Sequence, residues 1–311
     1  MSEHPHIVFF GTAEFGIPAI TTLLRNEYPI VTIVTALDKP AGRGRQLASS
    51  PVKQFALEHQ LRLLQPEKLR DKEFIEQISA LKPDLFVVVA FRILPPEVFT
   101  IPRLGSFNLH ASLLPRYRGA APINWAIIRG ERETGVTTFF LRENVDTGNV
   151  ILQARTPIGP EETAGELHDR LAEIGGEIVL HTVRLIESGK AGSRPQDEST
   201  VSNAPKISRE DCRIDWTKST SEIHNNIRGL SPRPCAFTYH EKTLLKIYRA
   251  TIRSSGTKGS PGEITGTGKN LLVSAKDGTI EVLEIQQEGK KHHTAEEFLR
   301  GSRLKPGDRF V

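Results

Sequence analysis

The densest concentration of groups able to do chemistry lies between Gly105 and Ile127, GSFNLHASLLPRYRGAAPINWAI. Residues 106–112 alternate in the manner of a strand, so Asn108 and His110, two positions apart, project from the same face. A carboxamide that donates hydrogen bonds and an imidazole that carries protons then share one cleft, a pairing suited to charge developing on an oxygen while a proton moves. Leu113, Leu114 and Pro115 end the strand, and Arg116 to Gly119 form a basic turn before an apolar, helix-like run over 120–128. A third polar group, Asp146, sits in Glu143-Asn-Val-Asp-Thr-Gly-Asn149 between two strand-like segments. Singly these signals are weak. An isolated N-x-H pair also fits a turn cap beside a satisfied core histidine, and Asp146 also fits a solvent-exposed Asx turn.

The elements that must hold these groups follow from periodicity. Residues 6–10 and 30–36 form β-branched or aromatic apolar runs, and 84–90 (DLFVVVA) is continuously apolar, as strands buried on both faces are. Helical spacing over 12–26, 51–60 and 71–82 alternates with these strands and with a short one at 61–65, which predicts a Rossmann-like, doubly wound, mostly parallel α/β sheet. Further strands are expected at 133–141 and 150–158, then a long helix over 163–189 opened by the capping box Thr163-Ala-Gly-Glu166. Residues 37–50 (LDKPAGRGRQLASS) read as an exposed loop carrying Lys39, Arg43 and Arg45, where the ordinary reading of the charges is solvation. Gly11-Thr-Ala-Glu-Phe-Gly16 has neither the middle glycine of GxGxxG nor the Lys-Ser/Thr of a P-loop, so a tight strand-to-helix turn explains it. Residues 190–205, rich in small and polar types, read as a linker. Short strands at 236–239, 244–252, 262–265, 271–274 and 280–286 with glycine-rich turns predict a small β-barrel.

Composition narrows the classes. At 311 residues, 38% hydrophobic and 25% charged, the chain suits two globular domains. No apolar run approaches the ~20 residues needed to span a bilayer. The start, MSEHPHIVFF, lacks a basic n-region, so a cytoplasmic protein with no membrane partner is expected. Cys212 and Cys235 lie too far apart for a CxxC pair and read as structural thiols. No metal cluster can be drawn, since His4 with His6 and His292 with His293 read as surface residues. Residues 1–205 hold 22 basic and 24 acidic residues (net −2), and 206–311 hold 19 and 13 (net +6). An excess concentrated in one region is the footprint of a polyanion-binding module, although a bland surface can also show it.

The order Asn-x-His, Ser-Leu-Leu-Pro, Arg-Gly-Ala-Ala-Pro-Ile closely resembles the signature of the folate-dependent formyltransferase family, and its RGAAPI ending resembles the branch acting on methionyl-tRNA. The resemblance covers nearly the whole chain. It implies a catalytic domain over 1–189, a linker at 190–205 and an OB-like tRNA-binding barrel over 206–311. It also implies 10-formyltetrahydrofolate as formyl donor, initiator methionyl-tRNA as acceptor, no metal, and a monomer. Asp146 matches the D-x-G loop that completes the family's trio with Asn108 and His110. Phe91, Ile93, Leu94, Ser112, Leu113, Leu114 and Pro115 then fall at the folate site, and Lys39, Arg43 and Arg45 in the insertion that enters the tRNA acceptor arm. On this reading Asn108 and a protonated His110 donate to the formyl oxygen, while Asp146 favours the imidazolium and relays the amine proton. Direct transfer then needs no nucleophilic side chain, and the chain has no GxSxG elbow. The sequence departs from the family's A-Y-G-x-I-L-P at Ala90-Phe-Arg-Ile-Leu-Pro95, where Arg92 replaces glycine. Two other readings remain open, a sugar-nucleotide N-formyltransferase using the same donor and a nucleic-acid-binding module on an inactive scaffold.

Overall fold

A computed structural model describes residues 4–41, 46–255 and 259–311. The chain order begins β1 (Ile7–Gly11), α1 (Ile17–Arg25), β2 (Ile30–Val34), β3 (Lys39–Ala41), β4 (Gln46–Ala48), α2 (Pro51–Glu58), β5 (Leu63–Leu64), α3 (Lys72–Ala80), β6 (Leu85–Val89) and α4 (Pro96–Phe99). It continues through β7 (Ser106–His110), β8 (Arg118–Gly119), α5 (Pro122–Ile128), β9 (Glu133–Phe140), β10 (Val150–Pro157), α6 (Ala164–Glu187), β11 (Asn203–Ala204) and α7 (Thr220–Leu230). The last elements are β12 (Ala236–His240), β13 (Thr243–Ser255), β14 (Ile264–Thr267), β15 (Leu271–Ser274), β16 (Gly278–Gln287), β17 (His292–Thr294) and α8 (Ala295–Arg300). Two compact units result. One comprises Met1–Gly119, Gly135–Thr156 and His168–Asn203, and the other Ala120–Thr134, Pro157–Leu167 and Ala204–Val311.

The first unit is built on a seven-stranded sheet in the order β10-β9-β7-β6-β1-β2-β5. Every residue of β1 and β6 is buried, which is why their sequences are apolar without alternation: helices cover both faces. β1, β2, β5, β6 and β7 run parallel, and β9 reverses against β7. Mostly parallel is therefore right, with the reversal falling at the strand that carries Asn108 and His110. Val8, Phe10, Phe74, Ile78, Phe86 and Val98 form the core on one side of this sheet. The segment expected to be an open loop after β2 instead begins and ends as a two-stranded hairpin, β3 with β4. Lys39 is exposed on it. Arg43 and Arg45 lie outside the described residues.

The capping box at the start of α6 forms, with Thr163 N donating to Glu166 Oε2 and Glu166 N to Thr163 Oγ1. Those bonds and Arg249 hold the Glu166 carboxyl below the usual carboxylate range, although burial opposes them. The stabilisation is present above the unfolded-state value and is lost as pH falls through the folded-state one.

The second unit carries an antiparallel sheet ordered β12-β13-β16-β15-β14, with β17 added to β16. Its edges are tied by the chain end: Tyr239 and Val311 exchange both backbone hydrogen bonds, Ile264 N donates to Asp308 O, and Phe310 N donates to Gly262 O. Closure into a barrel removes two edges that would otherwise pair with other chains. It also seats Phe310 in the core beside Trp216. α7, opened by a capping box between Ser219 and Glu222, packs on β13. Among the described residues no helix is long and apolar enough to cross a membrane.

Both cysteines are buried, and burial pushes the Cys235 thiol up to about 12 and raises Cys212 as well. Because the thiolate is the reactive form, an aromatic disulfide reagent is expected to modify neither until denaturant unfolds the chain; a fast-reacting thiol in buffer would contradict this packing. Phe310→Ala is expected to lower stability in urea unfolding by about 3–5 kcal/mol, the cost of emptying a fully buried aromatic site.

Candidate active site

Asn108 and His110 stand at the carboxyl end of β7, held in register by Val88 of β6 and by Phe139 and Thr137 of β9. His110 is buried, and its Nε2 lies 2.9 Å from the Tyr117 carbonyl. A carbonyl only accepts, so Nε2 carries a hydrogen and Nδ1 is the nitrogen left for chemistry. Nδ1 faces Asp146 Oδ2 at 3.8 Å, a gap that a shift of about 1 Å would turn into a hydrogen bond.

Asp146 projects from the loop 141–149 between β9 and β10 with a left-handed backbone (φ 56°), which aspartate tolerates better than most residues. Gly119 N donates to its Oδ2 at 3.0 Å. Two residues on, the loop crosses the end of β9 so closely that a Cβ on Gly148 would sit 1.6 Å from the Phe140 carbonyl oxygen and 2.9 Å from the Phe139 ring. Only glycine permits that crossing.

Asn108 and Asp146 line one cleft of about 100 Å³ with Val88, Phe91, Leu94 and Phe99. Ile93 (69% exposed) and Val145 (50%), also in its lining, are large apolar side chains left uncovered. Arg92 turns its guanidinium to the carbonyls of Pro66 and Glu67 and lies over the Phe91 ring. The residue that departs from the family string is thus bonded to the chain itself. Apolar walls on one side, with Asn108 and Asp146 on the wall and the polar side chains of Arg142, Glu143 and Asn144 at the loop, suit a mostly apolar group bearing a reactive polar centre.

Of the residues placed at the folate site from sequence, Phe91, Ile93 and Leu94 line this cleft, and Ser112, Leu113, Leu114 and Pro115 are not in its lining. Ser112 spends its hydroxyl on the Arg116 carbonyl at 2.6 Å, and Leu114 packs with Phe139 and Val150. The backbone of this stretch is bound by Thr137 Oγ1, which donates to Ser112 O and accepts from Leu114 N, and by Gln153, which donates to Leu114 O. These four residues shape the turn after β7. Arg142 and Asn144, also in the cleft lining, carried no sequence signal: both belong to a polar loop without periodicity.

Family profiles match both parts of the chain, that of formyl transferase over residues 5–183 and that of the formyl transferase C-terminal domain over 206–303. The chain belongs to the formyl transferase family. Its curated relatives include the methionyl-tRNA formyltransferases of Bacteroides fragilis (48% identical, 97% of this chain and 96% of the relative) and Geobacter sulfurreducens (44%, 98% and 96%). Among solved structures, a sugar 3N-formyl transferase crystallised with dTDP and 5-N-formyl-THF superposes with a TM-score of 0.67 at 21% identity, covering 92% of this chain and 99% of that one. HypX from Aquifex aeolicus, in complex with tetrahydrofolic acid, gives 0.68 at 20%, covering 99% of this chain and 51% of that one. The two structural likenesses speak to the formyl transferase fold.

With Nε2–H spent on the Tyr117 carbonyl and Nδ1 turned to Asp146, His110 is placed for proton movement and not, as the sequence suggests, for donation to the formyl oxygen. Asn108→Ala, which removes an oxyanion donor, and His110→Ala, which removes a proton carrier, are each expected to lower kcat by about 10²-fold or more while urea unfolding still shows a cooperative native state. For Asp146→Asn, which keeps shape and loses the proton acceptor, the expected loss is about 10²- to 10⁴-fold. Turnover within a few-fold of the parent at every pH would make Asp146 a turn residue only.

Proposed function

We propose that this chain transfers the formyl group of 10-formyltetrahydrofolate to the free α-amino group of initiator methionyl-tRNA, giving N-formylmethionyl-tRNA and tetrahydrofolate. The observation that carries the reading is the set of full-length relatives at 44–48% identity named for that reaction, against about 20% for the sugar enzyme that shares the fold. In the reaction the neutral amine attacks the formyl carbon, the bond from that carbon to the folate nitrogen breaks, and one proton passes from the incoming to the departing nitrogen. Negative charge gathers on the formyl oxygen in the transition state. Asn108 is assigned to donate to that oxygen from the cleft wall, with His110 behind it on the same strand face. His110 Nδ1 and Asp146, 3.8 Å apart, are assigned to move the proton. Phe91, Ile93 and Leu94 are assigned to the folate ring, and Ser112 to Pro115 to the turn that shapes its site.

A polyanion must reach this cleft with one small amine at its tip. Residues 1–189 are assigned the chemistry, and the region 206–311, with its net charge of +6, is assigned to hold RNA backbone through phosphates, with little base specificity. Lys39, exposed on β3, and Arg43 and Arg45, outside the described residues, all follow β2 in the sequence and are assigned to the acceptor end of the tRNA, since parallel sheets bind ligands at the carboxyl ends of their strands.

The deciding assay supplies 10-formyltetrahydrofolate with methionyl-tRNA or with a dTDP-amino sugar and identifies the formylated product by mass spectrometry. N-formylmethionine released from tRNA is expected, and formylation of the sugar alone would overturn the reading. Arg43→Ala with Arg45→Ala is expected to raise KM for methionyl-tRNA and lower kcat through misplacement of the amine, with folate affinity unchanged and a shallower salt dependence of kcat/KM. An unchanged salt slope would mean these cations only solvate the surface.

A further inference from the structure

The stretch 194–202 falls between the two matched regions, 5–183 and 206–303, and has no role in the reaction as derived above. Apart from a bridge at Arg194 and one short 3-10 turn over Glu198–Thr200 it is irregular, yet it is bonded at both ends and in the middle to the segments that carry His110 and Asp146. Arg194 and Val150 exchange both backbone hydrogen bonds, 2.8 and 2.9 Å, anchoring the stretch at the start of β10. Gln196 then turns inward, partly buried among exposed neighbours. Its Nε2 donates to the Asp146 carbonyl at 2.7 Å and to the Gly148 carbonyl at 2.8 Å. Its Oε1 accepts from Arg118 Nε at 3.1 Å and Nη2 at 2.8 Å. Carbonyls cannot donate and a guanidinium cannot accept, so only this orientation of the amide works, and it fills all four of the side chain's hydrogen-bonding positions. Arg118 is completed by Glu198 of the same stretch, which approaches Nη1 at 3.1 Å and Nη2 at 2.8 Å.

Six residues after Gln196, Ser202 Oγ accepts from Tyr117 N at 2.9 Å and Ser202 O from Arg118 N at 2.9 Å. Tyr117 has a left-handed backbone (φ 61°), a conformation that needs external support in a bulky residue, and its carbonyl is the group that accepts from His110. One strap therefore grips the Asp146 loop at one end and the turn that orients His110 at the other.

We propose that residues 194–202 are a positioning strap that fixes the separation of His110 and Asp146, with Gln196 acting through Asp146 and Ser202 acting through Tyr117 on His110. The proposal rests on the assignment of Asp146 and His110 to proton transfer. Two backbone carbonyls of the loop that carries the left-handed Asp146 are held by one side chain, while its carboxylate accepts from Gly119 N. Loss of that side chain releases the loop backbone, so that the carboxylate, tied to the turn through Gly119 N, can swing from its 3.8 Å approach to Nδ1, and a misplacement of that kind at a reacting pair costs rate while leaving ground-state binding intact.

The experiment is a double-mutant cycle on the full chain. Gln196→Leu, close in volume and unable to hydrogen-bond, is expected to lower kcat about 10- to 100-fold, with KM for 10-formyltetrahydrofolate and for methionyl-tRNA each within about 3-fold. In the Asp146→Asn background the same substitution is expected to cost less than about 2-fold, because residues acting through one group are non-additive. Gln196→Glu keeps the pairing with Arg118 and replaces the donors by an acceptor, so it should lose activity as Gln196→Leu does, and it serves if the leucine variant does not fold. Parent-like kcat in either folded variant would overturn the strap. An equal loss with and without Asp146 would overturn it too, by showing a general structural role. If Asp146→Asn itself keeps parent-like kcat, the proton-transfer assignment has failed and the strap falls with it, a result distinct from the other two.

Discussion

Three residues of backbone, Tyr117 to Gly119, hold the site together. The carbonyl of the first accepts the Nε2–H of His110, and the N–H of the last donates to Asp146 Oδ2. The two groups assigned to proton transfer come from a strand and from a distant loop, yet both are referred to one short turn, so their separation is set by a few peptide planes. Those planes are stiff. Tyr117 sits at positive φ, a conformation that persists in a bulky residue only where surrounding bonds over-determine it. Ser202 supplies bonds to Tyr117 and Arg118, and Arg118 is itself clamped by Gln196 and Glu198.

The sheet explains why the turn can be trusted with that task. β7 lies between β6, with which it runs parallel, and β9, which runs against it, so the residues at its carboxyl end are fixed from both sides. Because β9 runs back from Thr137, opposite His110, to Phe140, opposite Phe107, the loop 141–149 leaves at the amino end of β7 and folds back to bring Asp146 to His110. Gly148 then makes the return tight, since its Cα passes against the Phe140 carbonyl.

Much of this was legible in the residues. Continuous apolar runs mark β1 and β6 because parallel strands covered on both faces have no polar side, and Thr163 with Glu166 marks the start of α6 because both partners of a capping box are local. The spacing of Asn108 and His110 gave their shared face, and the string around them gave the family. The direction of β9 was not legible, since an antiparallel strand inside a mixed sheet has the same burial, and the same sequence, as a parallel one. Closure of the barrel by residues 308–311 was hidden for a similar reason: Phe310 and Val311 are a two-residue apolar end to a polar tail, and their pairing depends on partners nearly fifty to seventy residues away. Gln196 carried no signal, because a glutamine in a run of small and polar residues has the composition of a linker whether or not its amide is inserted. Ser112 to Pro115 had a family signal, but contacts decide whether a residue lines a cleft or shapes the turn beneath it.

The account turns on which imidazole nitrogen the turn leaves free. Nitrogen-15 NMR of the histidine-labelled protein, with the His110 resonances assigned from a His110→Gln variant, reads that directly across a pH titration. With Nε2–H held by the Tyr117 carbonyl, the neutral ring should show Nε2 at the shift of a protonated nitrogen and Nδ1, facing Asp146, at that of a bare one. A neutral form with its hydrogen on Nδ1 and a bare Nε2 would contradict the account, because the ring would then present Asp146 with the wrong proton and the Tyr117 carbonyl with none.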